Sequence, residues 1–376
     1  MKRVLGTLLL IAALCSAVPL PAQDHSNPPS VSQQSAKFLP PAVDYGWQDQ
    51  MIGDRCYITR VHSRTDAKSK GLKPGQQIIT IDGYVPTREN FRKIEEVYRA
   101  LRPQTKMDLL IQNPNGVRHS LVVKSKIHKP FVAVYGLHEL HGRLDNFVSA
   151  SEYEEEQTPP YEEQNRARFV DRGRALTILK LADLNFDNKW MDLFKKHVRK
   201  RDALILDLRG VSGGTEDEIA NLLGGMFDKQ IRIGDGVKGT VTGPTMTRSK
   251  EPPFTGSLIV LVDSNSTGGA ELFARIIQRE KRGVVIGDRT SGTAMSYFVD
   301  FEPRYTFSTP APGMAADGRA NLKDSGVVPD QIMLPSPDDL AKGRDPILAY
   351  AIEKLGVKTT PEKAGKMFSY KGPDSY

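Results

Sequence analysis

The sequence predicts an α/β domain preceded by a smaller, mostly β domain. Three observations lead to this fold class. The second half of the chain alternates buried strands with helices, which is typical of α/β sheets. The first third contains short strands and one amphipathic helix. Residues 152–163 are acidic and contain prolines, as expected of a connector.

We therefore expect these segments: a signal peptide at 1–22, a linker at 23–44, a mostly β domain at 45–129, a connector with an acidic loop at 130–173, an α/β domain at 174–356 and a polar, frayed tail at 357–376.

The N-terminus predicts export. Lys2 and Arg3 precede an apolar run from Val4 to Val18, and small residues follow up to Ala22. This pattern is typical of a secretory signal peptide, and the run is shorter than the ~20 residues of a membrane-spanning helix. We expect cleavage near Ala22 and a periplasmic or extracellular protein; an uncleaved membrane anchor is the alternative.

Composition, net charge and cysteine count limit the classes of protein and partner that are expected. The chain has 376 residues, of which 39% are hydrophobic and 26% charged, as in soluble globular proteins. Loss of Lys2 and Arg3 with the signal peptide would lower the net charge from +7 to +5, and no basic stripe with interleaved aromatics predicts a nucleic-acid partner. Cleavage would also remove Cys15 and leave Cys56 without a disulfide partner. The sequence predicts no metal and no cofactor.

The β domain has a clear order of elements. The strands, the helix and a hairpin turn follow from alternation, helical periodicity and turn residues, and are expected at Tyr57–Val61, Gln77–Gly83, Thr87–Leu101 (helix), Met107–Ile111, Asn113–Gly116 (turn) and His119–Val123. Residues 70–83 resemble the middle signature of PDZ domains, a family that binds peptide C-termini by strand addition. Upstream of Tyr57 only Tyr45–Trp47 and Ile52–Gly53 could form a carboxylate loop, so both peptide binding and a structural role remain open.

The α/β domain alternates strands and helices along its length. The expected strands are Leu176–Leu181, Ala203–Leu208, Ser257–Val262 and Gly283–Ile286, and the expected helices are Lys189–Lys200, Glu216–Phe227 and Gly269–Arg279. Buried strands that alternate with helices predict a parallel sheet.

Four segments of this domain carry a resemblance to a known family. They are Leu206–Gly214, Val260–Glu271, Val285–Gly292 and Ser325–Asp330. In this order and spacing they resemble the motifs of the C-terminal processing peptidases, or tail-specific proteases, over about residues 174–355. The resemblance implies a crotonase-like α/β core and a serine peptidase with a Ser-Lys pair, for which a preceding PDZ unit is typical.

The catalytic positions of that family hold other residues here. Counting three residues back from Glu271 places Gly268 at the nucleophile position. Twenty-five residues further on, Thr293 stands at the position of the lysine base, and Tyr297 stands where a glutamine often lies. Ser266 is an alternative, displaced nucleophile. A serine needs a base within hydrogen-bond reach to attack a carbonyl.

The resemblance also implies an anion site. Gly213 and Gly214 lie where a helix begins, and helix N-terminal amides favour negative charge. Gly269 would supply a second amide of an oxyanion hole. The alternative is that these glycines serve only to form tight turns.

Three functions remain open from the sequence. The first is an exported, catalytically degenerate family member that binds extended peptides or protein C-termini. The second is an active serine-type peptidase that uses Ser266. The third is a small-molecule binder on the same fold. The residues leave open whether the protein is an enzyme.

Overall fold

A computed structural model describes part of the chain. The described residues are 37–38, 43–98, 104–127, 132–133, 167–182, 184, 192, 194–214, 216–234, 245–248, 252–292, 296–302, 305–311 and 325–368. The expected signal peptide, the acidic stretch 152–163 and Thr293 lie outside them.

The N-terminal domain is a five-stranded antiparallel sheet with the order β3-β4-β5-β6-β7. The strands of this part of the chain are β1 (Lys37–Phe38), β2 (Val43–Asp44), β3 (Trp47–Ile52), β4 (Arg55–Val61), β5 (Gln77–Ile81), β6 (Lys106–Gln112), β7 (Arg118–Lys124), β8 (Lys126–Ile127) and β9 (Val132–Ala133). A core of buried side chains, including Trp47, Ile58, Ile78 and Ile111, packs under the sheet.

Two short helices, α1 (Asp66–Ser69) and α2 (Phe91–Glu96), belong to the same domain. The helix expected at Thr87–Leu101 begins later than predicted. The backbone N–H of Thr87 donates to the side chain of Asn90 at 2.7 Å, which forms a turn before the first helical residue. Side chains of Asn compete with helical hydrogen bonds in this way and favour turns.

The boundaries of the β domain differ from the expected ones. Strand β1 pairs with β9, and β2 pairs with β8, both antiparallel. Residues assigned to the linker 23–44 and to the connector 130–173 therefore form strands. A pair of two-residue strands leaves no alternation in the sequence long enough to be recognised.

The C-terminal domain is a six-stranded sheet with the order β10-β11-β12-β15-β16-β19. Its strands and the remaining ones are β10 (Arg168–Arg172), β11 (Leu176–Lys180), β12 (Ala203–Asp207), β13 (Arg232–Gly234), β14 (Thr245–Met246), β15 (Ser257–Val262), β16 (Val284–Gly287), β17 (Ser296–Glu302), β18 (Tyr305–Ala311) and β19 (Gln331–Ile332). Strands β11 to β19 of this sheet are parallel, and β10 is antiparallel to β11. The sheet thus begins at Arg168, earlier than the expected boundary at 174.

Helices cover both faces of this sheet. The helices of this part of the chain are α3 (Glu216–Gly224), α4 (Gly269–Arg279), α5 (Pro337–Lys342), α6 (Pro346–Lys354) and α7 (Pro361–Met367), with a π-helical segment at Phe194–Val198. Of these, α5 contacts β4 of the N-terminal domain. Along β15, Val260 packs toward the α3–α4 side, whereas Ile259 packs toward α6. Alternate residues of a strand point to opposite faces, so a sheet covered on both sides needs a continuous apolar run.

Two helical expectations are corrected. The tail is not frayed at its start, because α7 lies within it, packs against α6 and buries Ala364 in the same core cluster. Thr360 caps α7 by accepting the N–H of Lys363 at 3.3 Å, and Pro361 occupies the first turn. The segment is mostly polar in sequence because its helix buries one face, at Ala364. The helix expected at 189–200 is described only as the π-helical segment at its C-terminal part.

No helix among the described residues is long and apolar enough to span a membrane.

Candidate functional site

A cleft of about 1070 Å³ lies between the two domains at the carboxyl edge of the parallel sheet. One wall consists of residues from β3 and α2. The other consists of the loops that follow β12, β15 and β16. Open α/β sheets bind their ligands at the carboxyl ends of the strands, where the helix N-termini also meet. This cleft is therefore the candidate site.

Direct hydrogen bonds fix β3 against the turn after β15. The amide of Gln50 donates to the carboxylate of Asp263 at 2.9 Å. The hydroxyl of Ser264 donates to the backbone carbonyl of Met51 at 2.5 Å. The edge strand of the first domain and the expected nucleophile turn thus line one continuous cleft.

Arg88 makes the second link between the domains. Its guanidinium donates to Asp288 at 2.5 Å and to the carbonyls of Arg289 and Gly53 at 2.9 and 2.6 Å. Asp288 also accepts the N–H of Gly53 at 2.9 Å. Burial raises the pKa of the Asp288 carboxyl, although the charge of Arg88 acts in the opposite direction. The link therefore lies in a poorly hydrated part of the interface.

The turn between β15 and α4 has the shape that a nucleophile turn requires. Gly268 is the N-cap of α4 with φ 58° and ψ −118°, a conformation that residues with a side chain rarely adopt. A Cβ at this position would lie 3.4 Å from the carbonyl oxygen of Gly213 and 3.7 Å from its nitrogen. The position has room for a small side chain, yet the sequence supplies none.

Ser266 is buried within this turn and serves to hold it. Its side chain is 0% exposed, and its hydroxyl donates to the carbonyl of Leu208 at 2.9 Å. The backbone N–H of Asp263 donates to the same hydroxyl at 3.0 Å. A displaced nucleophile would need a His or Lys at its hydroxyl, whereas these bonds join Ser266 to the turn itself. The geometry argues against the alternative nucleophile.

Glu271 joins the two turns that the family motifs single out. Its carboxylate is 0% exposed and accepts the backbone N–H groups of Gly268 at 3.2 Å and of Gly292 at 2.7 Å. The hydroxyls of Thr290 and Ser291 donate to it at 2.5 and 3.3 Å. We call these five residues the Glu271 centre. It fixes the turn before α4 relative to the turn after β16.

Of the other two expected catalytic positions, Thr293 and Tyr297, the structure describes only Tyr297. Thr293 lies outside the described residues. Tyr297 lies in β17, where its backbone is paired with that of Pro310 in the β17–β18 hairpin. For Tyr297 the structure therefore gives the backbone position in this hairpin.

The expected anion site is present only in part. The backbone N–H of Gly269 donates to the carbonyl of Gly213 at 2.9 Å, and is therefore not directed at a ligand. A Cβ at Gly269 would meet that same oxygen at 2.7 Å, so this position requires glycine for close packing. Gly213 and Gly214 both have positive φ, and their amides have no acceptor among the described residues. These two amides remain candidates for binding an anion.

A network of charges lines the cleft beside these loops. Arg209 donates to both carboxylate oxygens of Asp207 at 2.9 and 2.8 Å, and to those of Asp345 at 3.0 and 2.7 Å. Lys180 donates to Asp207 at 3.3 Å. We call these four residues the Arg209 centre. It contains an ion pair between Asp207 and Arg209, and it ties β12 to the start of α6.

The pKa values within the Arg209 centre follow from burial and charge. Burial by itself would raise the pKa of Asp207, but the charges of Arg209 and Lys180 hold it well below its usual range. Burial by itself would lower the pKa of Arg209, but Asp207 and Asp345 raise it. Asp207 and Arg209 thus both stay charged across the physiological range.

Sequence reasoning missed three residues of the site. Glu271 served only as a landmark for counting, although a Glu at the third position of a helix is a known capping signal. Arg88 and Lys180 gave no signal, because their partners lie some 200 and 27 positions away in the chain. Only the tertiary structure could reveal those contacts.

The site combines a strand–turn–helix, whose turn residue Gly268 has positive φ, with glycine amides near the start of another helix. Serine hydrolases hold a nucleophile and bind an oxyanion with arrangements of this kind. Residues 176–333 match the model of peptidase family S41. The match supports, over these residues, the resemblance to the tail-specific proteases that the four motifs predicted.

Solved structures show the same fold over most of the chain. Mature CPAF is 14% identical, with a TM-score of 0.54, and the match covers 82% of this chain and 81% of that one. CPAF complexed with lactacystin is 12% identical, with a TM-score of 0.51 and 82% coverage of each chain.

Proposed function

We propose that this protein is a catalytically degenerate tail-specific protease that binds an extended peptide segment or a protein C-terminus in its cleft. The observation that carries the proposal is Gly268. The turn keeps the nucleophile conformation, the supporting hydrogen bonds of Ser266 and Glu271, and the neighbouring amide of Gly213. The nucleophile is missing, and Thr293 stands at the expected position of the lysine base.

Two features of the cleft support a peptide as the ligand. Strand β3 is an edge strand that pairs only with β4 among the described strands, and it faces the cleft. Edge strands bind extended peptides through their unpaired backbone groups. The amides of Gly213 and Gly214 suit a carboxylate or a peptide carbonyl. We also propose that the N-terminal domain is PDZ-like and that the protein is exported after cleavage near Ala22.

The catalytic part is tested with the mature chain and a fluorophosphonate probe, together with hydrolysis of an unfolded substrate such as casein. Loss of a nucleophile or of its base lowers the rate on the order of 10⁴- to 10⁶-fold. We expect no labelling and no turnover in the wild type. Labelling that disappears in Ser266→Ala would establish a displaced nucleophile and overturn the proposal.

A restoration experiment sharpens this test. We expect the double variant Gly268→Ser with Thr293→Lys to gain fluorophosphonate labelling, whereas either single change stays inactive. Space for the new Cβ is available at 3.4 Å, although the positive φ costs about 1–3 kcal/mol. Wild-type turnover equal to that of the double variant would contradict degeneracy.

The binding part is tested by fluorescence anisotropy with a labelled, randomised pool of ten-residue peptides. Ser212 is exposed and lines the cleft, so Ser212→Trp should fill it and weaken binding about tenfold by steric exclusion. Lys70→Trp is the matched control, because Lys70 is exposed and lies outside the lining of the cleft. Equal binding by both variants would move the ligand to another surface. Binding of small apolar molecules in place of peptides would favour the small-molecule alternative.

A further inference from the structure

The end of α7 lies at the margin of the cleft. Ala364, Gly365 and Phe368 all line the cleft, and Phe368 is the last described residue. Phe368 is half-buried and packs against the core cluster to which α6 contributes. Residues 369–376 follow directly and lie outside the described part of the chain. The chain therefore leaves the described structure at the cleft itself.

Contacts on both sides of α7 fix this exit point. A Cβ at Gly365 would clash with the backbone carbonyl of Gly343, so α7 packs on that turn more closely than any larger residue would allow. At the other end, the guanidinium of Arg168 donates to the carbonyl of Phe368 at 2.7 Å and lies 5.8 Å from the centroid of its ring. The position of Phe368 is thus held by the sheet as well as by its own helix.

Arg168 places the exit point beside the Arg209 centre. Its partner in the β10–β11 ladder is Lys180, which belongs to that centre and also lines the cleft. From Arg209 the chain reaches Gly213 in four residues, which span at most about 14 Å. The eight residues 369–376 span up to about 28 Å when extended. Their reach is therefore about twice the length of the loop that carries the free amides of the cleft.

The covalent attachment favours binding within one molecule. A segment joined to the edge of a site by a short chain meets that site at an effective concentration of about 1 mM. A tethered segment with a Kd of about 0.1 mM would therefore weaken the binding of an added peptide about tenfold. Gly372 and Pro373 disfavour a helix in this segment, and an extended chain is the form that a free strand edge binds.

We propose that residues 369–376 bind in the cleft of their own molecule and compete there with peptides from other proteins. This inference rests on the proposed peptide-binding function and identifies one ligand of that site. Backbone hydrogen bonds to the strand edge and the glycine amides suffice for a tethered segment, because its high effective concentration replaces specific side-chain contacts. The segment thereby sets a threshold, since only a peptide that binds more tightly displaces it.

The first test removes the segment. The mature chain and a variant that ends at Phe368 are compared by fluorescence anisotropy with the labelled, randomised pool of ten-residue peptides. We expect the shortened chain to bind the pool about tenfold more tightly, since the tethered competitor is gone. A synthetic peptide with the sequence of residues 369–376 should displace the labelled pool from the shortened chain.

A second test keeps the whole chain and locates the segment. Ser375→Cys is combined either with Ser212→Cys, in the lining of the cleft, or with Lys363→Cys, at an exposed position of α7 outside that lining. Cys56 does not take part, because it is 1% exposed. Lys363 is the nearer of the two positions along the chain, so a segment that stays outside the cleft would react there first. We expect the disulfide to position 212 to form about tenfold faster than that to position 363, and an excess of the peptide pool to slow it.

The outcomes separate this inference from the proposed function. Equal binding of the pool by the full and shortened chains, or a disulfide that forms faster at position 363, would overturn the inference and leave peptide binding intact. A disulfide to position 212 that joins two molecules, seen as a dimer on a non-reducing gel, would assign the segment to the cleft of a second copy and overturn binding within one molecule. Absence of peptide binding by both chains would overturn the proposed function, and the inference with it.

Discussion

Two centres at the carboxyl edge of the sheet are built in opposite ways. In the Glu271 centre, one buried carboxylate accepts hydrogen bonds from backbone amides and hydroxyls. In the Arg209 centre, a guanidinium lies between two carboxylates, with Lys180 beside them. The first fixes the shape of two turns, and the second joins a strand to a helix through charge. Both contain residues of the family motifs, and both are present although Gly268 stands at the expected nucleophile position. The presence of motif residues therefore indicates that the framework of the site is formed, and it does not by itself indicate that the site is catalytic.

The largest expected effect on stability is at the Arg209 centre. Arg209→Met would leave Asp207 buried beside Lys180 alone, and breaking a buried ion pair in this way costs about 3–5 kcal/mol. The free energy of unfolding, measured by urea denaturation, should fall by that amount. The double variant Asp207→Asn with Arg209→Met should lose less, because no buried anion remains at position 207. Equal losses would show that packing rather than charge holds this centre.

The same centre predicts a pH dependence. The pKa of Asp207 is lower in the folded state than its ordinary value of about 4. Its contribution to stability is therefore present above that ordinary value and is lost as the pH falls toward the folded-state value. Urea denaturation between pH 6 and 2 should show a steeper loss in the wild type than in Asp207→Asn. Parallel curves would contradict the lowered pKa.

A smaller effect is expected at the Glu271 centre. Glu271→Ala leaves the amides of Gly268 and Gly292 without their acceptor, and each unsatisfied buried group costs about 1–3 kcal/mol. We expect a total loss of about 2–4 kcal/mol and weaker peptide binding, because the two turns are no longer joined. Glu271→Gln keeps one acceptor oxygen and should lose roughly half as much. A stable variant with unchanged binding would show that the two turns are fixed by other contacts.

The smallest effect is expected at Ser266. Ser266→Ala removes the acceptor of the Asp263 N–H and the donor to Leu208, and should cost about 1–2 kcal/mol. Ser212→Ala, at an exposed position, is the matched control and should stay within about 0.5 kcal/mol. A Ser266→Ala variant as stable as the control would contradict the hydrogen bonds described for this turn.

The sequence alone determined the parallel core and the order of the motifs. The strands at 257–262 and 203–207 could be predicted, because a continuous apolar run indicates a strand that is buried on both faces. The helix at 269–279 could be predicted, because apolar residues at helical spacing indicate a helix with one buried face. The absence of a serine at position 268 could also be read directly, since it depends only on counting within one ungapped segment.

Only the tertiary structure decided how the site is held together. The short strands β1 and β2 exist through partners about ninety residues away, and α7 exists because packing against α6 buries Ala364. The roles of Ser266, Gly269 and Glu271 followed from hydrogen bonds across turns that are separate in the chain. Sequence patterns record local periodicity, whereas a buried hydroxyl, amide or charge takes its role from whichever distant group the fold brings within 3 Å. For this protein, the sequence places Gly268 at the expected nucleophile position, and the fold shows which groups hold that turn.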